Sequence, residues 1–100
     1  MICLDAKNKV LACSRLFRGS VNSANINIRK IIEFAINSNA SSVIISHNHT
    51  SGIALPSLED ERTTRRIEEA LNTVGIALAD HIIVADDDFV SLADNGFFRL

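Results

Sequence analysis

Two spacings of apolar and polar positions take turns along this chain. The opening "MICLD" alternates weakly and predicts a strand. "AKN" supplies a turn, and "KVLACSRLFRG" predicts a longer strand that ends at Gly19. After the polar connection "SVNSANIN" the period lengthens. Ile28, Ile31, Ile32 and Ala35 fall at i, i+3, i+4 and i+7, one face of a helix, with Asn27 placed to cap it. "NSNAS" stops that helix. "SVIIS" is a continuous β-branched run, as expected of a buried strand, and His47 sits at its C-terminal end. The loop "NHTSGIALP" turns at Gly52 and closes near Pro56, the only proline. Ser57 to Val74 predicts a second helix that buries Ile67, Ala70, Leu71 and Val74 and ends at Gly75. "IALADHIIVA" is a strand, "DDD" a tight connection and "FVSLA" a last strand. Strand–strand–helix–strand–helix–strand–strand implies an α/β fold with a mixed sheet, and "SVIIS" should be central.

Composition narrows the setting. The 100 residues suit one domain, residues 1–100, and a hydrophobic content of 47% supplies a core without disulfide or metal staples. No apolar run reaches membrane-spanning length, and the start lacks the basic-then-apolar order of a signal peptide. Cys3 and Cys13 fit neither a disulfide framework nor a Cys-x-x-Cys zinc site. They are expected to be reduced thiols of a cytoplasmic protein, packing as small hydrophobes. A net charge of −2 and a pI near 5.8 argue against direct binding of nucleic acid. The local basic cluster Arg62, Arg65 and Arg66 is interleaved with Glu61, Glu68 and Glu69. That pattern predicts i,i+4 pairs, Glu61–Arg65 and Arg65–Glu69, on a solvated helix face. No feature sets an oligomeric state.

The chemistry concentrates in "SHNHTSGIALPSLED". In an extended strand, residues i and i+2 point to the same side, so His47 and His49 converge while Asn48 points away. Two imidazoles so placed suit a zinc ion, whose bonds to nitrogen are about 2.0–2.1 Å. The plain alternative is a His pair hydrogen-bonded to backbone at a loop mouth. Asp60 lies seven residues before Ile67, on the inward stripe of the second helix, where a carboxylate needs a cation or several donors. Here the plain alternative is strong: "SLED" is a capping box, with Ser57 as N-cap and Asp60 reaching back from N3. His81 in "ADHIIV" is read as a satisfied strand-end histidine paired to Asp80, rather than as a fourth ligand or cleft wall. Asp86, Asp87 and Asp88 are read as a solvated hairpin connection rather than a cation loop.

Together these residues form H-x-H-x7-S-x2-D. His47, His49, Ser57 and Asp60 resemble, spacing for spacing, the metal signature of the JAB/MPN (JAMM) metallopeptidase fold. "LDAKNKV", "FRGSVNSA", "ISHNHTSG", "PSLED", "TRR" and "DHIIV…FVSLADNGF" are similar to the RadC family over essentially the whole chain. The resemblance implies a three-layer α/β/α, cytidine-deaminase-like domain with a mixed central sheet. It implies zinc held by His47, His49 and Asp60 with water in the fourth position, the open pattern of a catalytic site. Ser57 would position that water and help hold the oxyanion. The substrate class would be a peptide or protein, cleaved at an amide or isopeptide bond by metal-activated water. The family's general base, a Glu, falls before Met1. Glu33, Glu59 and Glu61 are read as helix surface and do not match its position. The chain as given is therefore expected to bind zinc yet hydrolyse poorly, a longer chain restoring the base. Thr50 stands where the family usually has proline, which is expected to loosen His49. The alternative to an enzyme is a non-catalytic MPN-like module that binds a protein or a DNA-repair complex, as the RadC label suggests.

Overall fold

A computed structural model describes residues 1–18, 26–49 and 52–98 of the chain. The expectations placed on Gly19 and Thr50 lie outside the described residues. The elements run β1 (Ile2–Leu4), β2 (Val10–Cys13), α1 (Ile28–Asn37), β3 (Ser42–Asn48), α2 (Leu58–Thr73), β4 (Ala77–Ala85) and β5 (Asp88–Ser91). This is the predicted α/β order. The five strands form one mixed sheet in the order β2-β1-β3-β4-β5, with β3 central as its β-branched run implies. β3 runs parallel to β4 and antiparallel to β1, so α2 is the crossover between two parallel neighbours.

The first turn of chain is held by Asp5, whose carboxylate accepts from the backbone N–H of Lys7 and Lys9. Asn8 takes the left-handed conformation there. β2 is shorter than predicted, ending at Cys13. Met1 and Ser14 still exchange backbone hydrogen bonds at 2.8 and 3.0 Å. Cys13, paired with Ile2, is exposed rather than packed, whereas Cys3 is fully buried. Burial pushes the Cys3 thiol pKa up.

Both helices feed one cluster on the face that carries Cys3, Val43 and Leu78. α1 contributes Ile31 and Ala35, and α2 contributes Ile67 and Leu71. On the other face Ile44, Ile82 and Val84 are half-buried and Ser46 and Asn48 are exposed, so among the described residues the helices lie on one side of the sheet. The inward stripe of α2 differs in detail from the predicted one. Thr63, Thr64, Ile67 and Leu71 are buried, Ala70 is half-buried, and Val74 is the exposed C-cap. Gly75 follows at a φ of 76°, the left-handed stop expected of it. The surface pairing of α2 is also rearranged. Arg65 pairs with Glu68 at 3.0 Å, donates to the Phe97 carbonyl, and stacks 3.8 Å from the centre of the Phe97 ring. No described helix is long and apolar enough to cross a membrane.

Candidate metal centre

The site forms where β3 ends and α2 begins. β3 continues through His47 to Asn48, and the His49 N–H still bonds the Val84 carbonyl at 2.8 Å, extending the ladder by one rung. The backbone is therefore extended across all three residues, and His47 and His49 project to the same side. Their ring centres are 4.9 Å apart. Asp60 arrives from the first turn of α2, and its side chain is only 15% exposed. Its Oδ1 lies 3.5 Å from His47 Nε2, and its Oδ2 lies 2.9 Å from His49 Nε2. One ligand atom from each of the three residues lies within 4.8 Å of the others. Tetrahedral ligands on bonds of about 2.0–2.1 Å would be separated by roughly 3.3 Å, so side-chain movements on the order of 1 Å would bring the three atoms onto one ion.

The capping alternative is equally real. Ser57 Oγ accepts from the Asp60 N–H at 3.0 Å, and Asp60 Oδ2 accepts from the Ser57 N–H at 2.8 Å. The box and the triad share one carboxylate, and neither excludes the other.

The chemistry of the donor set tests whether a cation belongs here. His49 Nδ1 lies 3.1 Å from the Ile53 carbonyl oxygen, which can only accept. A neutral ring has one proton and satisfies only one of two contacts, the Ile53 carbonyl on Nδ1 or the Asp60 carboxylate on Nε2 at 2.9 Å. The other nitrogen then turns a lone pair on an oxygen. A positive charge on the ring side, a second proton or a metal ion, makes both contacts favourable at once. Burial favours the neutral form and pulls the His47 pKa down, opposed by the Asp60 charge. Burial also pushes the Asp60 carboxyl up, but the Ser57 N–H, the Ser57 hydroxyl and the two imidazoles together hold it below the ordinary value. A divalent cation needs an ionised carboxylate and an unprotonated ring nitrogen, and the shifts of Asp60 and His47 both run in that direction.

His81 is placed differently from the sequence expectation. It lies in the middle of β4, buried, and its ring does not pair with Asp80. The Asp80 carboxylate instead accepts from the His81 and Ala93 backbone N–H groups and from Ser91 Oγ. The His81 ring contacts His47 and Thr64: Nε2 is 2.7 Å from His47 Nδ1, and Nδ1 is 2.6 Å from Thr64 Oγ1. Burial, reinforced by His47, lowers its pKa to about 4, so the ring is neutral near pH 7. Asp86 and Asp87 form the β4–β5 turn with Asp86 at a φ of 52°, and Asp88 opens β5, which agrees with a hairpin connection. Glu33 is on the surface of α1, ion-paired with Arg29 at 2.9 Å. Glu59 is exposed in the first turn of α2. Glu61, half-buried, helps line a cavity of about 210 Å³ with Leu55, Pro56 and Phe97.

The family model described as "RadC-like JAB domain" matches residues 1–97. The chain belongs to the RadC-like JAB domain family. Among curated relatives, a "UPF0758 protein" of Cellvibrio japonicus is 43% identical over 97% of this chain and 43% of its own length. Another, from Shewanella pealeana, is 40% identical over 97% of the chain and 43% of its own. A third, from Nitrosococcus oceani, is 45% identical over 93% and 42%. The chain thus spans less than half the length of these relatives. Within the RadC-like JAB domain, the α/β class, the mixed sheet and the His47–His49–Asp60 cluster agree with the resemblance read from the motif, while among the described residues both helices cover one face of the sheet rather than the two of a three-layer arrangement.

Proposed function

We propose that this RadC-like domain is the metal-holding part of a JAMM-type zinc hydrolase that cleaves an amide or isopeptide bond in a peptide or protein. The observation that carries the reading is the convergence of two imidazole nitrogens and one carboxylate, with His49 Nδ1 beside the Ile53 carbonyl and Nε2 turned towards Asp60. Two nitrogens and one oxygen suit zinc and leave one position open. Zinc, when bound, supplies Lewis acidity towards water and a substrate carbonyl.

The residues of the chain do the rest. Asp60 holds negative charge beside the imidazoles, and the capping box fixes its rotamer. Ser57 uses an oxygen lone pair to cap α2, and its single O–H, which faces the Asp60 carboxylate, is a rotatable donor separate from that lone pair. We assign that O–H to the oxyanion that develops during hydrolysis. The general base is assigned to the segment preceding "ICLD" in RadC-like chains, since Glu33 is committed to Arg29. Direct contact with nucleic acid is not part of this proposal. Arg65, the middle of the basic cluster, is spent on Glu68 and Phe97, which leaves no continuous stripe for phosphates on α2 among the described residues. The free thiols of Cys3 and Cys13 suit a cytoplasmic setting.

Elemental analysis of the purified protein tests the reading. Close to one zinc per chain is expected, falling to trace in His49→Ala with the fold retained. Absence of metal from the wild type after zinc loading would leave only a capped helix, and would favour the non-catalytic module.

A further inference from the structure

We propose that Thr64 and His81 form a positioning relay that locks His47 as the Nδ1–H tautomer and so presents Nε2 as the ligand atom. Its use rests on the metal reading above, but the proton arrangement itself does not.

The argument is one of proton accounting. Thr64 Oγ1 is 2.6 Å from the Asp60 carbonyl oxygen and 2.6 Å from His81 Nδ1. A carbonyl has no proton to give, so the single hydroxyl proton of Thr64 points to it. Thr64 Oγ1 then accepts, and His81 must donate from Nδ1. His81 is buried with neither ring nitrogen on a carboxylate, so the neutral ring is the form that fits, and it is left with a lone pair on Nε2. His47 Nδ1, 2.7 Å away, must therefore carry the proton of that contact. His47 Nε2 is bare by elimination, and it is the nitrogen that faces Asp60 Oδ1.

The reversed chain satisfies less. It would send the Thr64 proton to His81 and leave Thr64 Oγ1 against the Asp60 carbonyl at 2.6 Å, two oxygens in lone-pair contact. Its only compensation is His47 Nε2–H towards Asp60 at 3.5 Å, at the limit of a hydrogen bond. The relay also closes on itself, because it begins at the backbone of one ligand, Asp60, and ends at the ring of another, His47. Both of its members are buried, so water does not compete for the protons. A metal-binding histidine commonly donates its second nitrogen to such a partner, and loss of the partner typically costs 10–100-fold in metal affinity. A histidine acceptor backed by a threonine performs that task here. Neither residue touches substrate or metal in this scheme.

The test begins with metal-free wild-type protein labelled with ¹⁵N, where long-range ¹H–¹⁵N spectra report the tautomer of each ring. His47 and His81 should both carry the proton on Nδ1. Thr64→Val keeps shape and burial but removes the hydroxyl. It should shift His81 towards Nε2–H and weaken zinc binding about 10–100-fold, with little change in thermal midpoint. His81→Gln, which retains an acceptor, should hold affinity better than His81→Phe. A proton on His47 Nε2 in the wild type would overturn the relay, as would Thr64→Val leaving both tautomer and affinity unchanged. Wild-type protein with the expected tautomers but no zinc affinity would support the relay and overturn the metal reading instead.

Discussion

The N-termini of α1 and α2 face the same problem, backbone N–H groups with no partner inside the helix, and solve it with different consequences. At α1, Asn27 accepts from the Lys30 N–H at 3.2 Å, and the helix then buries only Ile31 and Ala35. At α2, Ser57 and Asp60 form a reciprocal box, and beneath it the helix buries Thr63 and Thr64 before its apolar residues begin. Capping is thus common to both ends and marks neither as a site. What separates them is polar burial. α1 meets the sheet with hydrocarbon alone, whereas the start of α2 meets a column of imidazoles. A cap carboxylate acquires a second task only where something beneath it needs charge.

The largest effect that sharpens this contrast is on metal. Asp60→Asn keeps an oxygen for the Ser57 N–H but loses the negative charge. Zinc affinity should fall by more than about 100-fold, exceeding the cost of losing a supporting partner, while unfolding free energy changes by under about 1 kcal/mol. Metal titration and urea unfolding on the same variant separate the two roles. A large loss of stability with unaltered zinc affinity would break the contrast, making the α2 cap structural like that of α1.

The next effect is on pH and stability in metal-free protein. His81 has a folded pKa of about 4, below the ordinary 6.5 of an unfolded chain. As pH falls through that interval the unfolded state takes up the proton first, so stability is full above about 6.5 and is lost towards 4. The depressed carboxyl of Asp60 continues the loss at more acid pH. A decline on the order of 1–3 kcal/mol is expected in the upper window. It should flatten in His81→Gln, as read by urea midpoints at successive pH values. An unchanged profile in that variant would remove His81 as its source.

The smallest effect is at the other helix. Asn27→Ala should cost about 1 kcal/mol and leave zinc affinity untouched, measured by the same two titrations.

The triad was legible because each of its residues obeys a simple period. His47 and His49 share the alternation of a strand that stays extended through the Val84 contact. Asp60 shares the helical spacing that buries Ile67. The relay was not legible, and the reason is a single irregularity. Val43 pairs with Leu78, but Ile44 pairs with Asp80, so β4 accommodates an extra residue at Ala79. Strict alternation from Leu78 would send Asp80 inward and His81 outward. The bulge exchanges them, turning His81 under α2 and Asp80 towards Ser91. The other half of the relay did leave a trace. Thr64 lies one turn after Asp60, on the inward side, where a hydroxyl needs a partner. The length of β2 was not legible for a different cause, since propensity describes Arg15 to Arg18 without saying where a ladder stops.

One oxygen, Asp60 Oδ2, both accepts the Ser57 amide and faces His49. Any ion that settles there therefore tightens the entry to α2 as well as the pocket. By mass action, an ion at a hundred times its dissociation constant contributes about 2.7 kcal/mol to folding. Part of that should surface as slower exchange of the Ser57 amide with deuterated solvent. Occupancy of the site would then be readable from the backbone, without a substrate in hand.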